Sequence, residues 1–87
     1  MNIIFSGAFK KRFSKLPVKI QAKFEGRIEL FRLNPFDRVL ENHPLKGNLH
    51  EYRSFSVTGD YRVKFRIVDA ESIKLVDIGR HPQVYGK

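Results

Sequence analysis

Apolar residues recur at two different periods along this 87-residue chain, and the change of period divides it into a helical first part and a stranded second part. Asn2 to Ser6 ("NIIFS") is a short β-prone run. Ser6 then suits a helix N-cap, because Phe9, Phe13 and Leu16 follow at spacings of four and three, with Lys10, Lys11, Arg12 and Lys15 on the other faces. Pro17 breaks this run or opens a second helix that continues to about Leu33, with Ile20, Phe24, Ile28 and Phe31 as its apolar stripe. The helix should end at "NPF", Asn34 to Phe36.

Beyond a loop containing Asn42, Pro44 and Gly47 the period drops to two. Leu49 to Val57 is β-prone, and "TGD" supplies the residues of a hairpin turn. In the next segment Tyr61, Val63, Phe65 and Ile67 alternate with Arg62, Lys64 and Arg66, so one face of that strand is apolar and the other cationic. "DAES" turns the chain again, and Ile73 to Gly79 forms a last strand whose weaker alternation suggests a central position. The expected architecture is α+β and two-layered, in the order β-α-α-β-β-β. A helical hairpin packs on one face of a twisted, mainly antiparallel four-stranded sheet. The other face stays partly open, with Arg62, Lys64 and Arg66 along it. A chain of this length fills one core, so residues 1–87 are read as a single domain.

Charge sharpens this picture. Seventeen Lys and Arg against nine Asp and Glu give a net charge of +8, a field that attracts phosphate polymers and acidic proteins. The cysteine count is zero, which excludes disulfides and thiolate metal sites and is compatible with a reducing compartment. The apolar run at the N-terminus is too short for a signal peptide and no stretch is long enough to span a membrane, so a cytoplasmic protein is expected.

The candidate chemistry is sparse. His43, His50 and His81 lack metal-ligand spacing, and the chain has neither a glycine-rich phosphate loop nor a nucleophile triad, so no metal or cofactor is called for. RNA cleavage by its own 2′-hydroxyl needs none of these. It requires a proton acceptor, cations for the charge on the pentacoordinate phosphorus, and a proton donor for the 5′-oxygen. Arg, His and Tyr fill those roles, and the C-terminal "DIGRHPQVYGK" concentrates Arg80, His81 and Tyr85 directly after an apolar strand.

"HPLKG", "YRSFSVTGDYRVKFRI" and "LVDIGRHPQVY" together resemble the RelE/ParE toxin superfamily, and within it the RelE/StbE and YafQ-like mRNA interferases of type II toxin–antitoxin systems. The resemblance covers almost the whole chain. It implies a toxin that enters the ribosomal A site, cleaves mRNA as a metal-independent endoribonuclease, inhibits translation and arrests growth, and is neutralised by a cognate acidic antitoxin. By position, Arg62 matches the arginine on the scissile phosphate, His81 the terminal arginine or histidine, Tyr85 the terminal aromatic, and His43 and Asp60 two residues of the YafQ-like branch. Lys64 and Arg66 on the cationic strand face, with Lys46, Arg53 and Arg80, are the candidate RNA-contacting residues, and Arg53 stands where RelE-type members carry the first of two lysines. Phe55 and Ser56 replace a lysine and a histidine of the two branches, which leaves His43 and His81 as proton acceptor and donor in either order.

Simpler readings accompany these. Asp60 serves the turn at Gly59, His43 turns the chain before Pro44, and Tyr85 packs over the sheet edge. Two other functions fit the same basic body: a ParE-type gyrase inhibitor without nuclease activity, and a non-catalytic RNA-binding protein.

Overall fold

A computed structural model describes residues 1–49 and 51–80. Strand β1 (Asn2–Phe5) leads into helix α1 (Gly7–Ser14) and helix α2 (Val18–Leu33). Strands β2 (His43–Pro44), β3 (Arg53–Ser56), β4 (Tyr61–Asp69) and β5 (Ser72–Arg80) follow. Ser6 caps α1 as expected: its Oγ accepts from the Phe9 N–H at 3.0 Å and donates to the Val76 carbonyl at 3.2 Å, so the cap also fastens the helix to β5. Pro17, with its extended ψ of 144°, starts α2, and Asn34 closes it. No helix among the described residues is long and apolar enough to cross a membrane.

The sheet order is β1-β5-β4-β3-β2, with β1 parallel to β5 and the other pairs antiparallel. Among the described residues five strands form where the sequence predicts four. The addition is His43–Pro44, which pairs with Ser54 and Arg53 on the edge. Two residues ending in proline carry no alternation to read. The strand predicted from Leu49 is also shorter, beginning at Arg53. Gly47, with φ of 67°, instead opens a single tight turn over Gly47–Leu49, and the Tyr52 N–H bonds back to the Leu49 carbonyl at 2.9 Å.

The core lies between the helices and one face of the sheet. Phe24, Ile28 and Phe31 of α2 and Phe9 of α1 meet Phe55, Val63, Phe65, Ile73, Leu75 and Ile78, all buried. Phe31 sits 4.9 Å from Phe55 and 5.3 Å from Phe65, ring centre to ring centre. Burying these side chains contributes about 1.5–3 kcal/mol each, which fixes the sheet's orientation: Val63 and Phe65 must face the helices, so Arg62, Lys64 and Arg66 face away. The weak alternation of the last strand has a second cause besides its interior position. At the β4–β5 ladder Lys64 pairs with Asp77 but Phe65 with Leu75, leaving Val76 as the extra residue of a bulge.

Candidate active site

The sheet face turned away from the helices is laid out in rows by the strand register. Ser56, Arg62 and Gly79 form one row. His43, Ser54, Lys64 and Asp77 form the next, and Arg66 stands beside Lys74 in a third. Successive rows along a strand are about 7 Å apart and neighbouring strands about 4.8 Å. Lys64 lies over the Tyr52 ring, its Nζ 5.1 Å from the centroid, so an aromatic plane and a cation are stacked on this face. Ser54 and Ser56 are buried although they face away from the hydrophobic core.

Arg62 is held more firmly than a surface arginine. Its Nη1 donates to the Ser56 Oγ at 3.1 Å, the Thr58 carbonyl at 2.7 Å and the Gly59 carbonyl at 3.1 Å, and its side chain is only 16% exposed. The turn builds this cradle. Thr58 Oγ1 accepts from the Asp60 and Tyr61 N–H groups at 3.2 and 3.1 Å, which turns the Thr58 and Gly59 carbonyls toward the guanidinium. Ser56 Oγ itself donates to the Thr58 carbonyl at 2.8 Å. Asp60 therefore takes part in the turn through its backbone, two residues before the arginine.

The other side of Arg62 meets Glu41, with Nη2 3.6 Å from Oε1. Glu41 has φ of 51° and ψ of 43°, a left-handed conformation costing a non-glycine residue about 1 kcal/mol. That backbone also places the Glu41 carbonyl 2.7 Å from His43 Nδ1. A carbonyl only accepts, so Nδ1 carries the proton and the neutral ring's acceptor is Nε2. One residue thus links the imidazole and the guanidinium. Sequence reasoning missed Glu41, Ser56 and Tyr52 as members of this site, and nothing in the spacing of an acidic loop residue would have flagged Glu41.

The remaining cations divide between the two faces. Lys64, Arg66 and the unforeseen Lys74 belong to the open face, and Lys46 lines a shallow hollow with His43, Pro44, Leu45 and Leu49. Arg53 and Arg80 alternate to the helix side and are not part of the row around Arg62. Arg53 donates to Asn42 Oδ1 at 2.9 Å and lies over the Phe36 ring, whereas Arg80 stacks on Tyr61, its guanidinium carbon 5.7 Å from the ring centre. The hydrogen bond and charge of Tyr61 raise the Arg80 pKa above its already high ordinary value. His50, His81 and Tyr85 lie outside the described residues.

No protein-family model and no curated protein matches the sequence. Solved structures do match. The chain superposes on YafQ from E. coli with a TM-score of 0.80, at 21% identity over 98% of both chains. The fold is that of the YafQ and YoeB toxins. A YoeB/ParE toxin from Agrobacterium tumefaciens aligns with a TM-score of 0.77 at 18% identity, covering 93% of this chain and 99% of its own. YafQ in the E. coli DinJ–YafQ toxin–antitoxin complex aligns at 0.79 and 21% identity, over 98% of this chain and 97% of the other. The YafQ/YoeB-type fold thus sets the Arg62 cradle at the turn between its third and fourth strands, with the cationic rows beside it on the uncovered face.

Proposed function

We propose that this protein is the toxin of a type II toxin–antitoxin module and cleaves RNA through attack of a 2′-hydroxyl on the adjacent phosphate. The observation that carries the reading is the Arg62 cradle: a cation fixed by three acceptors on an otherwise open cationic face. A positive group that need not reorganise when charge develops on phosphorus is what such a transition state requires. His43, with its proton on Nδ1, accepts the 2′-hydroxyl proton at Nε2.

Protonation of the 5′-oxygen falls to His81. Strand β5 brings Gly79 opposite Arg62 and ends at Arg80, one residue before it. Tyr85 supplies a stacking surface, and Lys64, Arg66 and Lys46 contact the RNA backbone. The chain acts on mRNA in the ribosomal A site, needs no metal or cofactor, and is restrained in the cytoplasm by an acidic antitoxin whose charge complements the +8 body.

Translation in vitro tests this reading. Addition of the protein should yield mRNA fragments and stop synthesis, and an antitoxin encoded beside it should prevent both. Intact mRNA together with blocked gyrase supercoiling would identify a ParE-type toxin instead.

A further inference from the structure

Helix α1 carries a second cationic group at the flank of the same face. The last β1–β5 pair is Phe5 with Leu75, whereas β5 continues to Arg80, and α1 packs against β5. Arg12 reaches from this helix to Asp77 on the open face, Nε 3.5 Å from Oδ1, and Asp77 is the register partner of Lys64. Arg12 is therefore the outer end of the row that begins at His43.

Two features distinguish it from an ordinary surface ion pair. Arg12 Nη1 is buried and has no hydrogen-bond partner, an arrangement that costs about 1–3 kcal/mol until an acceptor arrives. Arg12 also lines a hollow with Ala8, Lys11 and Lys15. Residues 1–24 contain six Lys and Arg and no Asp or Glu, so Asp77 offsets only part of this charge. With Nε beside the carboxylate, Nη1 is the nitrogen left without an acceptor, and it is covered in the absence of a ligand. A phosphate oxygen reaches it once the exposed Lys11 and Lys15 side chains shift, and their ammonium groups then share the same anion.

We propose that Lys11, Arg12 and Lys15 form a second phosphate-binding site, which holds the single-stranded RNA backbone beside the phosphate at Arg62. The site lies roughly 10 Å from β4, two strand spacings across the sheet, a distance that a polymer with a charge on every residue spans naturally. The choice of RNA as the polymer rests on the proposed cleavage function. The anion chemistry does not.

The test uses the full chain and a fluorescent, uncleavable 2′-O-methyl oligonucleotide, with binding read by anisotropy across a salt series. Lys11→Gln, Arg12→Gln and Lys15→Gln together should weaken binding by about tenfold or more at 0.1 M salt. The log–log salt slope should flatten by about 2, from ~0.7 per lost contact. A variant lacking the same charge elsewhere, Lys19→Gln with Lys23→Gln and Arg38→Gln, should change both much less. Lys11→Gln with Lys15→Gln, which keeps the Arg12–Asp77 pair, should show the intermediate effect and guards against misfolding of the triple variant.

Equal weakening by the two charge-matched variants, or none by the α1 variant, overturns the site. Tighter binding of polyglutamate than RNA, lost in the α1 variant, also overturns it and makes an acidic polypeptide the ligand. If α1-dependent RNA binding persists in a wild-type protein that cuts no RNA, the site stands and the cleavage reading falls.

Discussion

Replacing Arg62 with alanine separates chemistry from stability, because the cradle survives the loss better than the transition state does. Nη1 serves three acceptors, but Ser56 Oγ keeps its bond to the Thr58 carbonyl at 2.8 Å, and the Gly59 carbonyl, on an exposed residue, turns to water. The Glu41 carboxylate is 61% exposed and is solvated without its partner. The fold should therefore lose only about 1–2 kcal/mol, whereas loss of one positioned charge stabiliser slows a reaction by about 10²–10³. Arg62→Lys should recover little, since one ammonium on a shorter stem cannot reach the turn carbonyls and an incoming phosphate together. Urea denaturation and cleavage of end-labelled RNA measure the two effects side by side. A folded Arg62→Ala protein that cuts within about threefold of wild type would refute the role assigned to the guanidinium.

Three further outcomes follow from the same geometry. Ser6→Ala removes both the α1 cap and the tie to Val76, and should lower stability by about 1–2 kcal/mol in chemical denaturation. Phe31→Ala empties the contact with Phe55 and Phe65 and should cost about 3–5 kcal/mol, read as a shift in the urea midpoint. His81→Ala should fold as wild type by circular dichroism yet no longer arrest growth when expressed; undiminished toxicity would remove His81 from the reaction.

Those elements that bury one face were the legible ones. Alternation from Tyr61 to Ile67 announced both the strand and the cationic surface, because slipping the register by one residue would bury Arg62, Lys64 and Arg66 in place of Val63 and Phe65. The Ser6 cap and the stripe of α2 were equally plain. Residues 38–49 were not, since there Leu40 and Leu45 enter the core from short turns that have no period. In Ile73 to Gly79 the break in alternation recorded a bulge at Val76 as well as an interior position. The helix-side placement of Arg53 was present in the pattern, two residues before inward-facing Phe55, but a resemblance that assigns roles by position does not say which face a side chain takes. Glu41 and the pairing of Arg12 with Asp77 depend on a left-handed backbone and on contacts between distant parts of the chain, and no local pattern encodes them.

A single atom in the RNA tests the central claim most directly. The protein is given a ribosome-bound message in which the nucleotide on the 5′ side of the mapped cut carries hydrogen in place of its 2′-hydroxyl. If the Arg62 face stabilises attack by that hydroxyl, cleavage there disappears, while the all-ribose message gives fragments ending in a 2′,3′-cyclic phosphate. Continued cutting at the deoxy position, leaving a simple 3′-phosphate or 3′-hydroxyl, would mean that another nucleophile does the work.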